Sequence, residues 1–258
     1  MQSEAAAVPY TRLKTSVAIC TYNGERYLAQ QLTSILNQDT APDEVVICDD
    51  ASSDETRCII ELFAQKHKSI IRPIFNDANI GYTKNFEKAI SRTSGDIVFF
   101  SDQDDFWHNN KIKLVLQLFD DNPVIAGVSH DGRLVDEELT WSGTTKNMQM
   151  IRGYGTNHRI ITGCLSAIKR NYLDLFLPFP AGVIGHDAWL TYIFSLLQDR
   201  WLHTDLCLQD IRRHSANTSD WVANSLKPIN WLSVLKYQIL SDAAVDYNDR
   251  IIMNTSLL

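Results

Sequence analysis

Three carboxylates lie within four residues in segment 101–105 (Ser-Asp-Gln-Asp-Asp), directly after the apolar run 96–100. Like charges at this spacing repel each other, and the end of a strand in an α/β core is only partly solvated. A divalent cation would offset that repulsion, because hard oxygen ligands suit Mg²⁺ or Mn²⁺, and such ions commonly join carboxylates to a substrate diphosphate. The alternative is an acidic loop that caps the following helix.

Polar clusters also follow two other apolar runs. Residues 21–23 (Thr-Tyr-Asn) follow run 16–20, and Asp49 and Asp50 follow run 44–48. In open α/β sheets, ligands bind in the crevice outside the carboxyl ends of the strands. If each apolar run is a strand, we expect the three polar clusters to converge on one rim of the sheet.

Strand and helix patterns alternate along the first half of the chain. Each strand pattern is a short apolar run, and each helix pattern repeats its apolar residues every three to four positions. This alternation predicts an α/β fold with a mostly parallel central sheet flanked by helices. The predicted strands are residues 16–20, 44–48, 70–75, 96–100 and 124–128, and the predicted helices lie near residues 27–36, 59–63, 86–90 and 111–119.

The second half of the chain is less regular. Residues 131–157 are rich in polar residues and glycine, which predicts a long loop or irregular insert of the kind that often forms a lid or a binding loop. The remaining predicted elements are a strand at 160–168, a helix at 185–197, a strand at 205–211 and a C-terminal helical segment at 228–252.

Composition limits the class of protein. The chain has 258 residues, of which 45% are hydrophobic and 21% charged, and its net charge of −7 argues against a broad nucleic-acid-binding surface. The five cysteines are scattered and odd in number, which favours reduced thiols in a cytoplasmic protein. No apolar run approaches the roughly 18 residues of a membrane span. Residues 1–10 lack the pattern of a signal peptide, so a flexible leader is expected there.

Taken in order, the polar motifs resemble those of the inverting family 2 glycosyltransferases, which have the GT-A (Rossmann-like) fold. The resemblance covers residues 16–219, and its first, second and fourth motifs are specific in combination. Within the family, the chain most resembles the bacterial branch that transfers rhamnose or related sugars to surface polysaccharides such as O-antigen or capsule. The motifs are Thr21-Tyr22-Asn23, Asp49-Asp50-x-Ser52-x-Asp54, Asn79-x-Gly81-x-x-Lys84-Asn85, Asp102-x-Asp104-Asp105, Gly185-His186-Asp187-x-Trp189 and Arg213-His214.

The resemblance implies an organisation and an activity. A leader (1–15) would precede a GT-A domain with a nucleotide-binding half (16–130) and an acceptor-binding half (131–219), and a helical extension (220–258) would follow. The implied reaction is the metal-dependent transfer of a sugar from a nucleoside-diphosphate sugar, such as dTDP-rhamnose or a UDP-hexose. The acceptor would be a hydroxyl of a growing, lipid-linked glycan, and no nucleic acid would be bound.

The resemblance further implies roles for residues of the first two motifs. Thr21 and Asp50 match positions that contact the nucleotide base, and Tyr22 and Asn23 shape the same loop. Asp49 either contacts the nucleotide or bonds its own turn.

Four further residues match positions around the donor. Lys84 matches a basic position near the nucleotide, or is a surface lysine. Gly163 matches a segment near the donor sugar, or belongs to a simple buried strand. Trp189 either stacks on a sugar ring or packs in the core. Arg213 matches a position at the diphosphate, for which Arg212 is an equal candidate.

The metal ligands are implied in the same way. Asp104 is the first candidate for binding Mg²⁺ or Mn²⁺, while Asp102 is either a second ligand or a contact to the ribose or sugar. His214 matches a position that reaches the metal or the diphosphate, although a single histidine is more often structural. Asp105 takes part in the same site or caps the next helix.

Asp187 matches the position of the catalytic base. An inverting transfer needs a carboxylate to accept the proton of the acceptor hydroxyl. His186 stands where such families often have Glu, and its role is open. The alternative for Asp187 is a helix N-cap.

Two other functions fit the sequence less well than sugar transfer. A nucleotidyltransferase would normally have a Gly-rich, basic phosphate loop after the first strand, which residues 21–24 do not form. A non-catalytic binding module would have no use for so many clustered carboxylates. A C-terminal apolar stripe suggests contact with the cytoplasmic membrane face, or else core packing or a partner. Its residues are Trp231, Leu232, Val234, Leu235, Ile239 and Leu240, with Lys227 and Lys236 nearby.

Overall fold

A computed structural model describes residues 12–155, 160–183, 185–217, 219 and 221–240. Most of the predicted leader lies outside these residues, as does the predicted C-terminal helix beyond residue 240. Strands and helices alternate through the first half as the apolar runs predict, and the α/β class is confirmed.

The first half of the chain builds a parallel sheet. Its elements are β1 (Thr15–Thr21), α1 (Leu28–Leu36), β2 (Glu44–Asp49), α2 (Thr56–Lys66), β3 (Ile71–Phe75), α3 (Tyr82–Ser91) and β4 (Ile97–Ser101). The four strands lie in the order β3-β2-β1-β4. All three pairings are parallel, because each helix carries the chain back across the sheet before the next strand begins.

The second half extends this sheet with strands of both directions. Its elements are β5 (Phe106–Trp107), α4 (Lys111–Asp121), β6 (Gly127–Val135), β7 (Trp141–Thr145), α5 (Lys146–Tyr154), β8 (Ser166–Lys169), α6 (His186–Leu196), β9 (Trp201–Arg212) and α7 (Trp231–Leu240). β8 pairs antiparallel with β4 and β6, whereas β9 runs parallel to β6. The parallel character therefore belongs mainly to the nucleotide-binding half predicted above.

The prediction of a long loop at residues 131–157 is wrong. Its described part contains the end of β6, all of β7 and α5. β6 reads as polar, yet His130 and Asp131 are buried within it. Asp131 accepts the Asn147 backbone N–H at the start of α5 at 2.9 Å, so a buried carboxylate anchors the helix. A hydropathy pattern assigns such residues to the surface, so the predicted strand ends at residue 128 and misses the rest of β6.

Strand boundaries in the second half also differ from the predictions. The apolar segment 160–168 contains a short helical turn at Gly163–Leu165, and only Ser166–Lys169 forms a strand. β6 begins at Gly127 rather than at residue 124, and β9 begins at Trp201 rather than at residue 205.

The core lies on both faces of the sheet. Successive side chains of a strand point to opposite faces. In β1, Val17 and Ile19 pack with apolar residues of α1, α2 and α4, while Ala18 and Cys20 pack with those of α3 and α6. This double burial explains why β1 and β2 read as continuous apolar runs.

Glu44 joins the amino ends of the parallel strands. Its carboxylate accepts the Ser16 hydroxyl at 2.6 Å and the Ser94 backbone N–H at 2.7 Å, and it forms an ion pair with Arg72 of β3. Burial by itself raises the pKa of Glu44, but these donors outweigh it and the pKa is lowered. One carboxylate therefore ties β1, β2, β3 and the loop before β4 together.

We expect Glu44→Gln to lower the free energy of unfolding by about 1–3 kcal/mol at neutral pH. Because the folded-state pKa of Glu44 lies below its ordinary value of 4.5, its stabilisation is complete above that value and is lost as the pH falls through the folded pKa. In urea unfolding, the difference in the free energy of unfolding between Glu44→Gln and the native chain should therefore shrink below pH 4.5.

Glu61→Gln is the matched control. Glu61 forms an exposed ion pair with Arg57 within α2, so its loss should change stability little at either pH. Equal effects of the two substitutions at neutral pH would contradict the role assigned to Glu44.

Candidate active site

The carboxyl ends of three neighbouring strands form one rim. Thr21 at the end of β1 is in register with Asp49 at the end of β2. β4 lies on the other side of β1 and ends at Ser101, directly before the acidic motif. The structure thus brings the three polar clusters together, as the argument from parallel strands predicts.

Hydrogen bonds join the loops that follow β1 and β2. The Thr21 hydroxyl donates to Asp49 Oδ1 at 2.8 Å, and the Ser52 backbone N–H donates to Asp49 Oδ2 at 3.0 Å. The Asn23 backbone N–H donates to the Ser52 hydroxyl at 2.9 Å, and the Tyr22 side chain is half exposed. Asp49 therefore accepts a hydrogen bond from the backbone of its own turn, which is one of its two predicted roles. Contact of these residues with a nucleotide stays a prediction.

Asp50 is buried and positions the start of α3. Its carboxylate accepts the Asn76 side-chain amide at 2.8 Å and the backbone N–H groups of Ile80 and Gly81, each at 2.9 Å. A contact between Asp50 and the base stays a prediction. Lys84 lies one turn into α3 and forms an exposed ion pair with Glu87.

Asp104 and His214 meet although they are 110 residues apart. His214 Nε2 lies 2.9 Å from Asp104 Oδ2, and the Asn217 side-chain amide donates to the same oxygen at 3.1 Å. Both side chains of the pair are largely buried. Asn217 was not predicted from the sequence, because an amide in a polar C-terminal loop carries no distinguishing pattern.

The other two carboxylates of the motif are in different surroundings. Asp105 is buried and accepts the Gln209 side-chain amide at 2.9 Å and the Arg212 backbone N–H at 3.2 Å. Burial and the charge of Asp104 raise the pKa of Asp102 to about 6. The same two causes, with the charge of Asp102, raise the pKa of Asp105. The repulsion inferred from the sequence is therefore present in the folded chain.

Lys111 is a buried cation behind this cluster. Its ammonium donates to Gln209 Oε1 at 2.5 Å and to the Cys164 carbonyl at 3.1 Å, and it lies 3.7 Å from the centre of the Trp107 ring. Burial lowers the pKa of Lys111 to about 7, against the opposing charges of Asp105 and Asp102. The sequence predicted only that Lys111 belongs to a helix and offered no signal for these contacts.

Arg212 and Arg213 were equal candidates for the diphosphate, and the structure separates them. Arg212 is buried and donates to the Asp104 carbonyl at 2.8 Å, to the Glu137 carbonyl and to Gln30 Oε1 at 2.5 Å. It therefore holds the acidic loop against α1 and the turn after β6. Arg213 is half-buried and donates to the Ser219 carbonyl at 2.6 Å.

Asp187 lies in the first turn of α6 beside Gly163. Gly163 N–H donates to Asp187 Oδ1 at 2.9 Å, and His186 Nε2 lies 2.8 Å from the same oxygen. A Cβ on Gly163 would lie 2.3 Å from His186 Nε2 and 2.4 Å from Asp187 Oδ1, so only glycine permits this approach. Burial raises the pKa of Asp187, but the charge and contact of His186, together with the Gly163 N–H and the charge of Lys146, outweigh it and the pKa is lowered.

The acidic motif and Asp187 belong to one electrostatic site. The charges of His186 and Asp187 both act on Asp102, and that of Asp102 acts on His186. Lys146, at the start of α5, also lowers the pKa of Asp187. The buried ammonium of Lys146 lies 4.1 Å from the centre of the Trp221 ring, and burial lowers its own pKa to about 7.

Trp189 packs on the interior side of α6. Its indole N–H donates to the Phe176 carbonyl at 2.9 Å, and its ring lies beside Tyr192. These contacts suit the core role weighed from the sequence, and stacking on a sugar stays a prediction.

Two groups of side chains could hold a cation. Asp104 Oδ2 and His214 Nε2 are hydrogen-bonded to each other at 2.9 Å, and the two atoms would become neighbouring ligands of a hard or borderline divalent ion if that ion replaced the shared proton. Ligand atoms of Asp102, Asp105 and Cys164 also lie within 4.8 Å of one another. The thiol of that second group suits softer metals, and two of its three members are buried.

Comparison with known proteins places these features in context. A sequence profile described as Glycosyl transferase family 2 matches residues 16–176. The chain is 30% identical over 224 residues to UDP-Glc:alpha-D-GlcNAc-diphosphoundecaprenol beta-1,3-glucosyltransferase of Escherichia coli, a match covering 83% of this chain and 81% of that protein. It is 40% identical over 100 residues to dTDP-rhamnosyl transferase of Shigella flexneri, covering 37% of this chain and 34% of that protein.

The fold is found among solved structures as well. A mannosyltransferase of Pyrobaculum calidifontis, solved in complex with GDP-Man and Mn²⁺, matches 96% of this chain and 76% of its own with a TM-score of 0.65 and 20% identity. Several curated relatives are longer, and the matches span only 38% and 36% of their length. The likeness in structure shows the GT-A fold.

Proposed function

The chain belongs to glycosyl transferase family 2, and we propose that it transfers a sugar from a nucleoside-diphosphate sugar to a hydroxyl of a growing bacterial surface glycan, with inversion at the anomeric carbon. The observation that carries this proposal is the joining of two groups in one site. Asp104 forms a largely buried polar pair with His214, and the acidic motif lies next to Asp187. Ligand atoms of Asp102 and Cys164 lie within 4.8 Å of each other, and the preceding residue, Gly163, donates its N–H to Asp187.

The donor occupies the rim formed by β1, β2 and β4 in this proposal. Residues 16–130 form the donor half, in which Thr21, Asp49 and Asp50 surround the base and Tyr22 and Asn23 shape the loop. Lys84 and Arg213 supply cations, and Gly163 lies near the sugar. The names of the relatives support dTDP-rhamnose or a UDP-hexose as the donor.

Asp104 and His214 would hold a Mg²⁺ or Mn²⁺ ion, with Asp102 as a further ligand or a contact to the ribose or sugar. The pair would suit such an ion because an oxygen and a nitrogen 2.9 Å apart are spaced like neighbouring ligands, with the ion replacing the proton of their hydrogen bond. The clustered carboxylates would gain a counter-charge. When bound, the ion offsets the charge that grows on the leaving diphosphate.

Asp187 is the general base. The acceptor hydroxyl oxygen forms a bond to the anomeric carbon while the bond to the diphosphate breaks, and the electron pair leaves with the diphosphate. The hydroxyl proton passes to the carboxylate of Asp187, whose side chain is 41% exposed and accessible to an acceptor. The lowered pKa of Asp187 keeps it ionised at neutral pH.

The acceptor is a lipid-linked glycan bound by residues 131–219, and the C-terminal extension, of which α7 is the last described element, contacts the cytoplasmic face of the membrane. In the described residues, no helix has the length and apolar content needed to cross a membrane. On α7, Val234 is buried, whereas Trp231, Leu232 and Leu235 are 64%, 53% and 44% exposed. An exposed apolar face with Lys227 nearby suits anionic lipid.

We expect Asp104→Asn to abolish stabilisation by Mn²⁺ of the complex with a nucleoside diphosphate, because the substitution removes the charge that binds the ion. Thermal melting with and without metal measures this. Asp121→Asn, at the exposed end of α4, is the control and should respond to Mn²⁺ like the native chain. Full activity in excess chelator would contradict the proposal.

We expect Asp187→Asn to lower the turnover rate by roughly 10²- to 10⁴-fold, the usual contribution of a positioned proton acceptor. Donor affinity, measured by calorimetry, should change little, because the substitution keeps the shape of the side chain. NMR of the product should show an inverted anomeric configuration. A retained configuration, or a variant with near-native turnover, would disprove this assignment.

We expect the intact chain to float with vesicles that contain anionic lipid. Trp231→Ser combined with Leu235→Ser should abolish flotation, because it removes the exposed apolar anchors of α7. Leu62→Ser, on the exposed face of α2, should leave flotation unchanged. Absence of flotation by the native chain would refute membrane contact.

A further inference from the structure

His186 lies directly behind Asp187. The histidine side chain is 7% exposed and the aspartate side chain is 41% exposed, so one is buried beneath the other. The Nε2 atom of His186 lies 2.8 Å from Asp187 Oδ1. Among the described residues, neither ring nitrogen of His186 has an aligned hydrogen-bond partner. The ion pair with Asp187 is therefore its principal polar contact.

Aromatic side chains fix the plane of the imidazole. The Phe86 ring is stacked on it with the centres 3.8 Å apart, while Tyr82 and Phe100 flank it at 6.5 and 6.3 Å. Phe86 belongs to α3 and Phe100 to β4, so the position of His186 is set by the donor half of the fold.

The two oxygens of Asp187 have different surroundings. Oδ1 accepts the Gly163 N–H at 2.9 Å and lies against His186 Nε2. For Oδ2 no hydrogen bond is found within the described part of the chain. A carboxylate held by one oxygen presents its other oxygen in a defined direction, as a proton acceptor requires.

We propose that His186 is a positioning residue, which holds Asp187 Oδ1 so that Oδ2 faces the acceptor hydroxyl. This inference rests on the proposed role of Asp187 as the base. During transfer the hydroxyl proton passes to Oδ2, the acceptor oxygen bonds to the anomeric carbon, and the electron pair of the broken bond leaves with the diphosphate. His186 keeps its own proton throughout.

Histidine is a chemically sound replacement for the Glu expected here. A second carboxylate next to Asp187 would add a negative charge to a site that already holds Asp102 and its neighbours. An imidazolium provides the opposite charge. Although burial lowers the pKa of His186, the charges of Asp187 and Asp102 raise it above its ordinary value.

Two substitutions of His186 test whether its Nε2 atom is the one that holds Asp187 Oδ1. The amide nitrogen of Gln can reach the place of Nε2, whereas that of Asn reaches only the place of Nδ1. We expect His186→Asn to lower kcat by about 10²-fold, the effect of a misplaced reacting group, and His186→Gln to retain at least tenfold more activity than Asn. The dissociation constant of the nucleoside-diphosphate sugar, measured by calorimetry, should change less than threefold in both.

His108→Gln and His108→Asn are the matched controls. His108 Nε2 lies 3.0 Å from Asp210 Oδ1 in another partly buried His–Asp pair, which joins β9 to the residue after β5. Changes at this pair should lower the melting temperature at most and leave kcat within twofold. Equal loss of kcat at His108 and His186 would show a general effect of losing a buried pair and would overturn the inference.

Asp187→Asn is measured in parallel, so that failure of the inference differs from failure of the proposed function. Native-like turnover in Asp187→Asn would show that Asp187 is not the general base, and the proposed mechanism itself would fail. Loss of turnover in that variant, together with equal kcat in His186→Gln and His186→Asn, would leave the base in place and contradict the positioning role. Cooperative melting of each variant identifies those that fold.

Discussion

The repulsion among the carboxylates that follow β4 is the constraint on which the rest of the structure depends. Three aspartates in four residues cannot all be desolvated without counter-charges and donors. Residues packed against the acidic loop supply them. Lys111 donates to Gln209, which in turn donates to Asp105, and the Arg212 backbone N–H donates to the same carboxylate. The imidazole of His214 contacts Asp104. Only part of the charge is neutralised in this way, since the pKa values of Asp102 and Asp105 stay raised.

β9 provides most of these partners, which explains why the second half of the chain is needed to complete a site that begins in the first half. Gln209 and Arg212 lie in β9, and His214 follows it directly. The antiparallel pairing of β9 with β5, which places Asp210 opposite Phe106, brings the end of β9 to the acidic loop that β5 directly follows. Arg212 then connects that loop to α1 and to the turn after β6.

The proposed base is positioned by a different set of interactions. Asp187 is held by the backbone of Gly163 and by His186, and His186 is held by the aromatic side chains of α3 and β4. Residues of the first half of the chain thus set the position of a residue in the second half. In a transfer reaction this coupling matters, because the base and the leaving group must align on opposite sides of one carbon.

The sequence by itself determined the α/β class, the order of the first four strands along the chain, the family and the set of candidate residues. Apolar runs buried on both faces and turn residues at strand ends are local signals, so they could be interpreted without the fold. The sequence also indicated repulsion in the acidic motif, because that depends only on spacing.

Only the tertiary structure decided which distant residues meet. In the sequence, Lys111 is one residue of a predicted helix, and Arg212 and Arg213 are indistinguishable neighbours. In the structure, Lys111 and Arg212 are buried beside the acidic loop. Residues 131–157 read as a loop because they are rich in polar residues and glycine, although Asp131 is buried in β6. The physical reason is the same in each case: a polar side chain is buried when a partner far away in sequence satisfies it, and no local pattern records that partner.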